Sequence, residues 1–200
     1  ILGLVQELPI EVVTERHMRT QQSALLELLT QDKIDTLPQD EALARITEKA
    51  SATLTLDRVS IWIYSGDGAQ LINLDCYDHL EHGHTNLPAL DISSYPVYFK
   101  SLQDSRAMAV SYAPTDHRTQ ELNASYLAPL GISSLLEAPI HRRGQTIGVV
   151  CHEHRGPQRN WTLDEQQFAA SVADLVTLVL EASERRALLE ALNHQSLHDS

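Results

Sequence analysis

The amino-acid sequence predicts an α+β fold, built on a central antiparallel sheet of five or six strands. N- and C-terminal helices cover one face, and loops and short helices lie over the other. Three observations predict it. Apolar residues recur at helical spacing up to about residue 54, then alternate from Arg58. Two pairs of strand-like runs are each joined by a short Gly-containing turn, as hairpins require. A long helical pattern then closes the chain.

The elements follow in order. Glu11 to Lys33 reads as a helix whose Leu25, Leu28 and Leu29 form an apolar stripe, and Pro38 closes the segment. Gln39 to Leu54 is a second helix, with Asp40 near its start and Leu43, Ile46, Ala50 and Leu54 on one face. Along Arg58–Tyr64, Val59, Ile61 and Ile63 point one way, and Ser60, Trp62 and Tyr64 the other. Ser65-Gly66-Asp67-Gly68 turns the chain into a partner strand over Ala69–Tyr77. Asp78–Pro88 is a polar, His-rich loop, and Tyr95–Gln103 a short helix with Pro96 in its first turn. Ala107–Val110 is a short strand. Asp116 is expected to cap a helix over His117–Leu130 that Gly131 ends. Ile132–Ile140 and Gln145–His154 form the second hairpin around Arg142-Arg143-Gly144. Thr162 caps the final helix, Leu163 to about Asn193, with Glu165 as its capping-box partner. Phe168, Val172, Leu175, Val179, Ala182, Arg186 and Leu189 alternate spacings of four and three, a coiled-coil seam. The helix is therefore expected to leave the domain and pair with a copy of itself.

Composition narrows the class. Of 200 residues, 42 % are apolar and the net charge is −12, which suits a folded chain and gives no basic surface for nucleic acid. No apolar run is long enough to span a bilayer, and no basic region precedes Ile1–Ile10 to suggest a signal peptide. Cys76 and Cys151 make no disulfide framework, so a cytoplasmic location is expected. The Ile start and the abrupt His198-Asp199-Ser200 end read as a piece of a longer protein.

The stretches Leu56-Asp57-Arg58-Val59-Ser60-Ile61-Trp62, Leu135-Leu136-Glu137-Ala138-Pro139-Ile140 and Ile147-Gly148-Val149-Val150-Cys151-His152-Glu153-His154 resemble a GAF domain, a small-molecule sensory module of signalling proteins. Arg159-Asn160-Trp161-Thr162-Leu163-Asp164-Glu165-Gln166-Gln167-Phe168-Ala169 continues the likeness in the family's order. Tyr95-Pro96-Val97-Tyr98-Phe99 and Tyr126-Leu127-Ala128-Pro129-Leu130-Gly131-Ile132 resemble a bacterial subgroup that precedes kinase or cyclase output domains. The tail, His194-Gln195-Ser196-Leu197-His198-Asp199-Ser200, is similar to the lead-in of a GGDEF diguanylate cyclase; histidine-kinase or PAS continuations stay open. The resemblance implies an N-terminal helical extension (1–38), a sensory domain (39–181) and a coiled-coil signalling linker (182–200) toward a covalently linked output domain. It implies a homodimer through the terminal helices, regulatory rather than catalytic.

The family is chemically diverse, so the ligand must be sought in the residues. Glu121-Leu122-Asn123-Ala124 holds no Cys where bilin-binding members attach a chromophore, so a covalent bilin is not expected. Two cysteines do not reproduce the pattern of the family's sulfoxide reductases, and both read as buried strand residues. Trp161 and Asp164-Glu165 depart from the cyclic-nucleotide signature. His79, His82 and His84 could face a metal or a haem iron, with a polar surface loop as the plainer explanation. Glu137 interrupts an apolar strand, so it needs a partner, Arg58 or Arg106, or else selects a cationic or hydrogen-donating ligand. Trp62, Tyr95, Tyr98, Phe99, Asp116, Tyr126 and Cys151 are its expected companions around an unknown small molecule. Two alternatives stand beside sensing: a dimerisation and spacer domain whose pocket its own side chains fill, and a haem or redox sensor.

Overall fold

The computed structural model describes residues 10–103 and 105–198. The expectations placed on Ile1–Pro9 and on Asp199-Ser200 lie outside them. Helix α1 (Ile10–Thr30) and helix α2 (Gln39–Leu54) lead into strand β1 (Arg58–Tyr64) and strand β2 (Gln70–Asp78). Two-residue strands β3 (Gly83–His84) and β4 (Leu90–Asp91) follow, then helix α3 (Pro96–Gln103) and strand β5 (Met108–Val110). The chain continues through a short helical segment ending in α4 (Ala128–Leu130), strands β6 (Ile132–Arg142) and β7 (Gln145–Arg155), and the long helix α5 (Leu163–His198).

The strands form one antiparallel sheet in the order β3-β2-β1-β7-β6-β5, with β4 also paired to β2. The sheet has seven strands because β3 and β4 join it. A two-residue pairing shows no alternation, so the polar loop after Asp78 hid them. Asn73 secures that loop: its side-chain carbonyl accepts from the Leu87 amide at 3.0 Å, and its amide donates to the Ile61 and Asp75 carbonyls.

Alternation along β1 sorts the sheet as expected. Val59 and Ile61 face α2 and α5, where they pack with Leu43, Ile46, Val172, Val176 and Val179. Trp62 faces the opposite side, against Tyr98, Phe99, Leu122 and Leu135. Gly148 of β7 sits where a Cβ would lie 2.1 Å from the Trp62 carbonyl oxygen, so this crossing of β1 and β7 admits no side chain.

The single helix expected over His117–Leu130 is not formed. A 3-10 turn (Gln120–Leu122) passes into a π turn (Asn123–Leu127) and then α4, and Gly131 ends the run in a left-handed conformation at φ 67°. Pro129 has no amide to offer the carbonyl one turn earlier, which breaks a regular α pattern upstream of it. Asp116 still initiates the turn, accepting from the Arg118 amide at 2.9 Å.

Helix α5 opens on the expected capping box: Thr162 Oγ1 accepts from the Glu165 amide at 3.2 Å, and Glu165 Oε2 from the Thr162 amide at 2.8 Å. Phe168, Val172, Leu175 and Val179 of the expected seam are buried in the chain's own core. Arg186 donates to the Asp35 and Leu37 carbonyls at 2.6 and 2.7 Å, tying α5 to the α1–α2 loop. Beyond it Leu188, Leu189 and Leu192 are exposed. Among the described residues, no helix is long and apolar enough to cross a membrane.

Candidate functional site

The covered face of the sheet carries a polar row that strand pairing builds. Cys76, Ser60, Cys151, Glu137 and Met108 lie opposite one another on β2, β1, β7, β6 and β5. One row away, Asp78, Arg58, Glu153 and Leu135 do the same. Side chains from these rows meet Tyr98 on α3 and Tyr126 on the π turn, and Trp62, Leu71, Leu90 and Leu122 close the cleft. The space left free in the cleft measures about 10 Å³, close to what one water needs.

Ser60, Arg58, Asp78, Tyr98, Glu137 and Glu153 are buried at the centre, and Tyr126 and Arg155 partly so. The Tyr98 hydroxyl donates to Glu137 Oε2 at 3.2 Å, and the Tyr126 hydroxyl to Glu153 Oε1 at 2.6 Å. The Trp62 indole N–H donates to Ser60 Oγ at 2.8 Å, and its ring meets Tyr126 edge-on at 6.4 Å. Arg58 stands 3.4 Å from Glu153 and 3.6 Å from Asp78, donates to Cys76 Sγ at 3.3 Å, and lies 5.9 Å from the Tyr126 ring centre. Arg155 grips Asp78 through two hydrogen bonds of 3.1 and 2.7 Å.

Burial governs the protonation states. It pushes the Glu137 carboxyl up to about 8, with the nearby Glu153 charge adding to the rise and the Cys151 and Tyr98 hydrogen bonds opposing it. Burial also lifts Glu153, against the pull of Arg58. It pushes the Cys151 thiol well up and Cys76 to about 11, so neither is a ready thiolate.

The structure brings together Trp62, Tyr98, Tyr126, Glu137 and Cys151. Phe99 is buried beside them, 6.1 Å from the Tyr64 ring. Tyr95 and Asp116 do not line the cleft: the Tyr95 hydroxyl pairs with Ser125 Oγ at 2.8 Å, and Asp116 is held by Arg118 at 2.8 Å. Neither expected cation reaches Glu137. Arg58 is drawn to Glu153 and Asp78, its direct neighbours across the strands, and Arg106 pairs with Asp174 on α5 at 3.0 Å.

The three histidines do not converge. His79 and His82 meet edge-on at 5.5 Å, whereas His84 bonds Asp75 and Glu48, each at 3.0 Å. Among the described residues, no group of three or more His, Cys, Asp or Glu is arranged to hold a metal ion. Sequence reasoning missed Glu153, fully buried and as central as Glu137. The signal was available, because Cys151 and Glu153 share strand parity. A larger open groove of about 530 Å³ lies where α1, α2 and the start of α5 meet. Its Arg159 is already engaged with Leu54 O, Thr55 O and Glu165.

The GAF domain family matches residues 38–180. The chain belongs to the GAF family. No curated protein sequence matches it. Among solved structures it is similar to the GAF domain of a phosphoenolpyruvate-protein phosphotransferase from Coxiella burnetii, at 14 % identity and TM-score 0.66 over 85 % of this chain and 98 % of that one. It is also similar to the phycoerythrobilin-bound GAF domain of a cyanobacterial phytochrome, at 18 % identity and TM-score 0.68 over 84 % and 97 %. A third is the free methionine-R-sulfoxide reductase of Neisseria meningitidis in complex with its substrate, at 10 % identity and TM-score 0.67 over 93 % and 99 %. At these identities the likeness is one of fold. In this GAF domain Glu121–Ala124, which holds no cysteine, spans the 3-10 to π transition. There Glu121 accepts from the Val97 and Tyr98 amides and so anchors the start of α3.

Proposed function

We propose that this GAF domain is the small-molecule-sensing part of a signalling protein, regulatory rather than catalytic. Its ligand would occupy the cleft between the covered sheet face, α3 and the π turn, and its effect would leave through α5. The observation that carries this reading is the cleft of aromatic and ionisable side chains around Glu137, a buried acid with no cationic partner among the described residues. An apolar core of the same volume would serve stability better. We further read 1–38 as a helical extension and 182–200 as a linker that pairs in a homodimer and controls a diguanylate cyclase output domain. The exposed Leu188, Leu189 and Leu192 support pairing.

One observation favours the spacer reading: the cleft holds only about 10 Å³, so its own side chains nearly fill it. Native mass spectrometry of protein purified from cells, followed by thermal-shift screening of a metabolite library, separates the two. Sensing expects a bound small mass or a stabilising compound. Neither result together would leave the spacer. For the linker, light scattering should show chains ending at Ser200 as dimers and chains ending at Glu181 as monomers; equal monomer content in both removes the paired linker.

A further inference from the structure

The cleft contains more acid than base. Arg155 and Arg58 serve Asp78, and Arg58 also faces Glu153, so two guanidinium groups answer two carboxylates. Glu137 is the third carboxyl and is only 2 % exposed. It receives the Tyr98 hydroxyl at 3.2 Å and a hydrogen bond from the Cys151 thiol, and no cation among the described residues. Trp62, Tyr98 and Tyr126 line the same cleft. Aromatic faces attract cations, and a buried carboxylate needs either a counter-charge or a proton.

We propose that the cleft binds a small organic cation, an alkylammonium group that pairs with Glu137 and is walled by Trp62 and Tyr98, since the Tyr126 ring already faces the Arg58 guanidinium. This rests on the sensing reading above and names the ligand class of that site. In the ligand-free protein a proton takes the cation's place, because burial raises Glu137 to about 8. Binding then exchanges the two: the Glu137 O–H bond breaks, the proton passes to solvent, and the carboxylate accepts an ammonium N–H. The other titratable groups facing Glu137 keep their state. Burial holds the Tyr98 and Tyr126 hydroxyls and the Cys151 thiol in their neutral forms. Glu153 stays with Arg58 and Tyr126, and Cys76, on the same row, is raised to about 11. With about 10 Å³ available, the alkyl part must displace Leu122, on the 3-10 turn over the cleft, rather than residues of the paired strands.

Isothermal titration of the whole chain with n-butylammonium, its neutral isostere n-butanol, and butyrate tests this. Two buffers of different ionisation heat report the protons released. Butylammonium should bind at least about tenfold more tightly than butanol, and butyrate should not bind. Near pH 7 each ligand bound should release about one proton, and near pH 9, where Glu137 is already ionised, almost none. Glu137→Gln, which mimics the neutral acid in shape, should weaken butylammonium by about 10- to 100-fold. Equal binding of butanol, binding without proton release near neutrality, or unchanged affinity in Glu137→Gln overturns the proposal. The proton count needs no variant, so it stands even if Glu137→Gln folds poorly. Binding of butanol or butyrate instead would remove the cation and leave sensing intact. Binding of none of the three overturns the cation alone, and the metabolite screen then decides sensing by itself.

Discussion

The two faces of one sheet follow different rules, although alternate residues of the same strands build both. On the helical face Val59, Ile61, Leu136, Ala138, Ile140 and Val150 meet the aliphatic stripes of α2 and α5. A buried imidazole there, His152, bonds the Leu136 carbonyl at 3.0 Å, and burial holds it neutral by lowering it to about 4. On the covered face the same strands offer Arg58, Glu137 and Glu153, all at most 2 % exposed. Apolar burial stabilises by area, at about 25 cal/mol per Å², and asks little of geometry. Buried charge stabilises only while every partner stays in place. The helical face therefore holds the fold together, and the covered face is where a small change in charge or hydrogen bonding matters.

The largest expected effect comes from breaking the covered face's balance. Arg58→Met leaves the buried Glu153 without its ion-pair partner, while Arg155 still holds Asp78, and should lower unfolding free energy by about 3–5 kcal/mol in urea titrations. A loss below about 1 kcal/mol would mean that the ion network is not what orders this face. On the helical face, Leu43→Ala should cost about 3 kcal/mol through a cavity, with unchanged pH dependence. A cost that varies with pH would show that the two faces are coupled.

The smallest effect per step is one of slope, and it separates the faces by sign. Glu137 is raised from 4.5 to about 8, so the folded state binds the extra proton and this stability is lost as pH rises between those values. His152 is lowered from 6.5 to about 4, so its contribution is present above 6.5 and lost as pH falls toward 4. The two oppose each other between 4.5 and 6.5, and of this pair Glu137 alone acts from there to about 8, where the raised Glu153 and His84 add slopes of the same sign. Glu137→Gln should therefore remove a downward slope of up to about 1.4 kcal/mol per pH unit in that upper window. His152→Gln should leave the upper window alone and flatten the acid side. Chemical denaturation across pH reads both.

The sequence made the fold legible wherever a period was long enough to count. Alternation in β1 sorted Val59 and Ile61 from Trp62, and the Thr162–Glu165 capping box placed the start of α5 correctly. What escaped had no period: β3 and β4 are two residues each, and the 120–130 segment mixes three helical forms around Pro129. For the site, Glu137 was legible because a single acid in an apolar strand has few explanations. Its partners were not, because which cation reaches it depends on pairing across strands. Arg58 lies opposite Asp78 and Glu153, a relation between residues far apart in the chain. Tyr95 and Asp116 looked equivalent to Tyr98 and Tyr126 by type; only the course of the covering segment tells them apart.

The chain has two tryptophans, and the sheet separates them. Trp62 belongs to the cleft wall, where Ser60 holds its indole N–H. Trp161 belongs to the helical core, bonded to the Val110 carbonyl at 3.2 Å with the Arg159 guanidinium 4.6 Å from its ring. Each side thus carries its own built-in fluorophore with its own hydrogen-bond partner. Two single-tryptophan versions, with phenylalanine at the other position, would let emission follow each side separately in time. The order in which the two signals change would show whether an event in the cleft reaches α5 through the strands or around their edge.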